Sequence, residues 1–388
     1  MILLLIVIYL AFISLGMPHS IIGSAWPSMY VQFGVDISAA GLISMIITGC
    51  TVISSFFSDK LANRLKTSVI TLISVAATAF ALLGISFSRS LVAVCILAVP
   101  LGLGSGLMDA VLNNFVALHY KASHMNWLHA FWGVGASIGP IILSFFLLRT
   151  GRWETGYRAI SIIQFALIAL LFVTIPLWKK IAAPQHNVQI NPLPASKRKL
   201  LALPGAKATL FAFFCYCGVE VTVGLWGSSY LVIVRGIEKE VAAGWISLFY
   251  FGITFGRILS GFLVLKLSAR RMIFIGYIFI AAGIAAFSIP FSGVVTAIGL
   301  FLIGTGCGPV IPCTIHETPN NFGKENSQAL IGMQMSSTFL GGAVLPPLFG
   351  VLGSIISYSL LPLYLCLFLV IMGVMFILVY KKTKPSKR

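Results

Sequence analysis

Three ionisable side chains stand inside long apolar stretches, where hydrocarbon would surround them: Asp109, Glu220 and His19. An ionisable group at the centre of a bilayer costs about 2.5–3.5 kcal/mol on insertion scales, so each is a functional candidate by default. A carboxyl group sheltered from bulk water can bind and release a proton within a working cycle, and imidazole titrates near neutral pH. Gly102, Gly106, Asp109 and Asn113 fall at i, i+4, i+7 and i+11, one face of one helix, which would turn a carboxylate and a carboxamide toward the protein interior. The competing reading of Asp109 is a structural bond to the next apolar stretch, with His129 as its partner. His19 and Glu220 lie at nearly the same depth of their stretches, so they are expected to face each other as an ion pair or a proton-sharing pair; the alternative is a hydrogen-bonded polar pair that fixes helix register.

Flat rings and amides occur among the same stretches. Trp132 and Trp226, with Trp26 and Trp127, offer apolar faces, while Asn113 and Gln334, with Asn114, Gln164 and Gln328, offer donors and acceptors. A sugar presents both kinds of surface, although aromatic residues in membrane helices more often pack or anchor at the interface. Asp59 and Arg64 in a short polar loop read as a latch that pairs in one state and parts in another, and Arg257 with Glu317 as an equivalent contact in the second half. No nucleotide-binding motif, metal-ligand cluster or nucleophile triad is present, so no cofactor and no metal are expected and the chain does not read as an enzyme. The seven cysteines all fall in apolar stretches and read as reduced packing residues, Cys215-x-Cys217 having the wrong spacing for zinc or redox work.

The elements that must carry these groups follow from composition. With 59% hydrophobic and 9% charged residues, no water-soluble globule could cover the apolar surface, and lipid must be the solvent. Runs of about 20 apolar residues, the length that crosses a hydrocarbon core of about 30 Å, recur along the chain. Twelve are expected, from Ile2–Tyr30 to Ser357–Tyr380, among them Leu91–Leu118, Trp127–Leu148, Lys207–Val234, Ala242–Leu265, Ser292–Ile315 and Ser327–Leu352. The first lacks a basic leader and a small-residue cleavage site and reads as a retained helix. The formal charge of +17 would suggest nucleic acid in a soluble protein. Here most of the Lys and Arg lie in alternate loops and the C-terminal tail, which places both termini in the cytoplasm and reads as orientation, not nucleic-acid binding.

A polar, proline-containing stretch divides the helices six and six: a bundle over 1–178, a linker over 179–206, and a second bundle with a short basic tail over 207–388. Gly102-Leu-Gly104-Ser-Gly106 is answered at equal offset by Gly304-Thr-Gly306-Cys-Gly308, and Ala40-Gly41-Leu-Ile43 by Ala243-Gly244-Trp-Ile246. The fold class is therefore an all-α membrane protein of twelve transmembrane helices in two pseudo-symmetric six-helix bundles, an architecture that puts a solute site near the bilayer midplane.

Ser58-Asp59-Lys60-Leu-Ala-Asn63-Arg64-Leu-Lys66 resembles the signature loop of the major facilitator superfamily, with Asn63 where glycine is usual. Leu15–His19 with Trp26-Pro27, Leu107–Asn114, and Met125–Gly135 with Gly139-Pro140 resemble the branch that contains fucose permeases. The resemblance implies the major facilitator fold and an alternating-access carrier, commonly one that imports a sugar or related solute with protons. Relatives often carry an acid where this chain has His19. The implied partners are a small-molecule solute, H+ and the lipid bilayer of a bacterial inner membrane, with the carrier acting as a monomer. Proton-driven efflux of drugs or metabolites is the alternative within transport, since Gly133–Pro140 partly resembles an antiporter signature. A non-transporting membrane sensor is the alternative of another class.

Overall fold

A computed structural model describes residues 2–62, 64–120, 122–181, 197–263, 266–289 and 293–383. These form α1 (Ile2–Phe33), α2 (Ala39–Ala62), α3 (Thr67–Ile85), α4 (Leu91–His119), α5 (Ala122–Thr150), α6 (Trp153–Ile181), α7 (Lys197–Ala202), α8 (Ala206–Ile233), α9 (Lys239–Leu263), α10 (Ala269–Ser288), α11 (Gly293–Phe322), α12 (Lys324–Ile355) and α13 (Leu361–Lys382), with a single 3-10 turn at Tyr358–Leu360. Twelve of them, all but the short α7, are long and apolar enough to cross a membrane, which makes this an all-α multi-pass membrane protein. Helices satisfy every backbone polar group within one segment, the requirement that hydrocarbon imposes. Prolines sit inside six of the long helices, at Pro18 and Pro27 of α1, Pro100 of α4, Pro140 of α5, Pro176 of α6, Pro309, Pro312 and Pro319 of α11, and Pro346 and Pro347 of α12. Neighbouring helices and local hydroxyl bonds make them tolerable there.

Helix ends depart from hydropathy where polar residues continue a helix beyond the apolar run. α11 continues past Ile315 through His316–Phe322, so Glu317 belongs to a helix and not to the loop the sequence suggested. Thr318 explains the extension: its hydroxyl bonds back to the Thr314 carbonyl and across to Gln334 of α12, tying the last turns to a neighbour. Part of the stretch expected as a linker is also helical, α7 burying Leu200 against Phe322, Leu330 and Val379.

The chain divides into two compact units that interleave along the sequence. One holds α1–α6 together with Gly224–Phe251 and Gly350–Tyr358; the other holds α7, α8 up to Val223, Gly252–Phe349 and the chain from Ser359.

In the first unit α1 is the central element, buried from Ser14 to Pro27 at every residue except His19. α5 lies along it in backbone contact, because a Cβ on Gly16 would run into the Trp132 carbonyl and one on Gly135 into the Ile13 carbonyl. Small residues of this kind let membrane helices gain van der Waals contact where no hydrophobic drive exists between them. An apolar core of Leu4, Ile8, Phe12, Leu112, Phe115, Leu128 and Trp178 fills the space among α1, α4, α5 and α6. Gln164 of α6 fastens the unit, accepting from Thr78 of α3 at 3.0 Å and donating to the Ser14 carbonyl of α1 at 3.0 Å.

The second unit repeats both devices. α10 and α11 touch through Gly276 and Gly306, whose Cβ positions are each occupied by the other's carbonyl. Gln334 of α12 plays the part of Gln164, with its amide bonded to Thr209 of α8 at 3.3 Å and to Thr318 of α11 at 3.1 Å.

Candidate functional site

Asp109 lies in α4, partly buried, with its Oδ1 accepting from Asn113 Nδ2 at 3.1 Å; the same amide also donates to the Asp109 carbonyl at 2.9 Å. The helical i, i+4 spacing brings the two together, as the stripe implied. Among the described residues no cation lies within ion-pair distance of this carboxylate. His129, the expected partner, is exposed on α5 and meets Phe12 edge to face at 6.1 Å. The glycines of the stripe make a close helix contact. Gly102 and Gly106 are pressed on the backbone of α2 at Ile47 and Thr51, and Thr51 and Ser55 donate to the Gly102 and Gly106 carbonyls at 3.2 and 3.1 Å. The upper half of the stripe is a helix contact, and only its Asp109–Asn113 end carries a charge.

His19 and Trp132, both singled out in the sequence for different reasons, lie side by side. Their rings are 5.2 Å apart, tilted edge to face, and Trp132 is partly exposed. Tyr250 of α9, which the sequence did not single out, is the third ring, 6.5 Å from His19. It stands in the unbroken aromatic and apolar run Leu248-Phe249-Tyr250-Phe251, where no local signal separates it from packing residues.

Glu220 stands on α8. Its partner is Arg257 of α9, at 3.8 Å, with side chains 14% and 21% exposed, and the Tyr216 hydroxyl one turn earlier on α8 lies within hydrogen-bonding reach. Tyr216 is itself held by the Cys307 carbonyl of α11 at 3.1 Å. Arg257 was expected beside Glu317, but that carboxylate pairs with Arg270 at 3.6 Å, and the guanidinium of Arg270 also lies over the Tyr380 ring at 4.6 Å. The reason is position: the Arg257 backbone packs on Gly308 of α11, nine residues before Glu317 on that helix.

Two further candidates are placed in packing roles. Trp226 is fully buried against Tyr358 and Gly350, ring centroids 5.6 Å apart from the tyrosine, and Gln334 is fully buried with its amide engaged by two threonines. A buried carboxamide spends its hydrogen-bonding capacity where the partners already are, and here they are hydroxyls of the same unit. Of the latch residues, Arg64 is exposed, and the side chain of Asp59 lies outside the described residues. Among the described residues no cluster of His, Cys, Asp and Glu could hold a metal ion.

The family model of the Major Facilitator Superfamily matches residues 8–327, and the chain belongs to that superfamily. It is a transporter, not an enzyme. Among curated relatives, Bypass of stop codon protein 6 of Saccharomyces cerevisiae is 23% identical over 91% of this chain and 77% of its own length, and the glucose/mannose transporter GlcP of Bacillus subtilis is 23% identical over 88% and 86%. The crystal structure of a variant of the nucleoside transporter NupG superposes with a TM-score of 0.75 over 98% of this chain and 99% of that one, at 12% identity, and has the same fold.

Proposed function

We propose that the chain is a secondary active transporter that moves a sugar or similar small polar solute into the cell together with protons, by alternating access. The observation that carries this reading is Asp109, a carboxylate on a membrane-spanning helix whose hydrogen-bond partner is a neutral amide and not a cation. A carboxylate compensated by arginine stays charged; one whose partner among the described residues is the neutral amide of Asn113 can alternate between protonated and ionised forms as its surroundings change. His19, Trp132 and Asn113 supply the imidazole, ring face and amide that a polyhydroxylated solute needs, and the motifs resembling fucose permeases and the Bacillus relative named for glucose and mannose favour the same solute class.

In this reading the bundles over 1–178 and 207–388 are the moving bodies, joined by 179–206, and the carrier is a monomer in a bacterial inner membrane with both termini cytoplasmic. Asp59 with Arg64, and Arg270 with Glu317 in place of Arg257 with Glu317, act as the latches that bias one conformation. The test is counterflow in proteoliposomes with labelled D-glucose, D-mannose and L-fucose, followed by external pH during uptake. Solute-induced alkalinisation outside is expected. Uptake and proton flux unchanged in Asp109→Asn would remove the proton-coupled reading, and absence of counterflow across the panel would remove the sugar.

A further inference from the structure

His19 is exposed although Ser14–Pro18 before it and Ser20–Pro27 after it are buried on α1. Its ring lies edge to face with Trp132 of α5 and Tyr250 of α9, so the surface it exposes opens onto an interhelical lumen of the first unit. One turn further along the same face stands Gly23, where the lumen is closed by backbone: a Cβ on Gly23 would meet the Gly224 carbonyl and the Leu225 Cα of α8. The Tyr250 hydroxyl of α9 in turn occupies the place a Cβ on Gly224 would take, so a side chain there must displace the phenol. Tyr250 is 4% exposed and turns its ring edge-on toward His19. Further along, Ser228 donates to the Ser24 carbonyl at 3.4 Å, Trp26 to the Ile37 carbonyl at 2.6 Å, and Ser144 of α5 to the Glu240 carbonyl at 2.7 Å.

We propose that Tyr250, with its hydroxyl seated on Gly224, is the ceiling of the solute site: it walls the space beside His19 and Trp132 and shuts that space off from the membrane face opposite the chain termini. The side chain thus serves twice, as a positioning residue that turns a ring edge to the solute and as the stopper that must leave Gly224 before the site opens to the other face. This rests on the carrier reading for the identity of the site, but the stopper is testable without any solute. Gly224 is the matching half of the device, because an alanine there displaces the phenol oxygen, whereas a phenylalanine at 250 has no oxygen to displace.

The experiment replaces the seven native cysteines and introduces Ser24→Cys, a reporter that is 2% exposed just behind the Gly23–Gly224 crossing. A membrane-impermeant maleimide is applied from the face opposite the termini in sealed vesicles. Labelling is expected to be slow in this background, to rise about tenfold with Tyr250→Ala, as a shift of about 1.4 kcal/mol in the closed population gives, and to stay near the background rate with Tyr250→Phe. Gly224→Ala should speed labelling several-fold, about as a smaller shift would, and adding Tyr250→Phe should cancel that gain. A buried reporter away from the lumen, Ser74→Cys of α3, must stay unlabelled in every variant, which separates opening from unfolding. Labelling of Ser24→Cys that ignores Tyr250→Ala, or a Gly224→Ala effect that persists without the hydroxyl, overturns the proposal. Should Tyr250→Ala fail to fold, the Gly224→Ala and Tyr250→Phe pair decides it. Absence of sugar counterflow would remove the sugar from the proposed function while leaving these rates as they are.

Discussion

Asp109 and Glu220 are both carboxylates on long apolar helices, and they are held in opposite ways. Glu220 faces the guanidinium of Arg257 at 3.8 Å, with Tyr216 beside it, so its negative charge has a counterion in place. Asp109 has the Asn113 amide at 3.1 Å and, among the described residues, no cation in ion-pair range. A charge with its counterion is a fixture, since breaking the pair strands the survivor in a poor solvent. A charge held by a neutral amide can be discharged by a proton without stranding anything. Under the proposed function, the difference assigns stability to the Glu220 end of the molecule and proton exchange to the Asp109 end.

The sharpest way to break the comparison is to remove one counterion. Arg257→Gln should leave Glu220 uncompensated, and removal of one partner from a buried pair costs about 3–5 kcal/mol; the remaining exposure of both side chains puts this case at about 3 kcal/mol or less. Thermal unfolding in detergent should show the loss, and Arg257→Gln with Glu220→Gln should recover more than half of it. Next in size is Gln334→Leu, which strips Thr209 and Thr318 of their buried partner at a cost of about 1–3 kcal/mol. Because the amide is a helix fastener, solute affinity of the folded fraction should not change; a weakened affinity with unchanged melting would return Gln334 to the site. Asp109→Asn should shift stability by less than about 1 kcal/mol, since it removes no counterion and keeps a hydrogen-bonding oxygen for Asn113. The smallest effect belongs to Arg270→Gln, whose partly exposed pair with Glu317 is worth at most about 1 kcal/mol. Its signature should be a change in the rate of uptake more than in the melting temperature.

How much of this could be read from the chain follows from the physics of each feature. Twelve spans were legible because lipid demands a continuous apolar run for each, and the Asp109–Asn113 contact was legible because both residues sit one turn apart on one helix. The partners of Glu220, Arg257 and Glu317 were not, because pairing across helices depends on depth and rotation: Arg257 reads as equally free to reach Glu220 or Glu317 until α9 is fixed against α11. Gln334 and Trp226 look from sequence like solute contacts, since a membrane amide or indole is scarce and polar, and only burial shows that their neighbours already occupy them. Tyr250 carried no signal at all. Its importance comes from a glycine 26 positions earlier on another helix, Gly224, whose missing side chain is where the hydroxyl rests.

The division of labour between the two acids is tested most directly by measuring proton movement and solute exchange separately in the same vesicles. With a sugar that the protein exchanges, Asp109→Asn should keep counterflow and lose solute-driven proton uptake, while Glu220→Gln with Arg257→Gln should keep both in whatever fraction folds. Proton flux that survives in Asp109→Asn and vanishes in the neutralised pair would contradict the account.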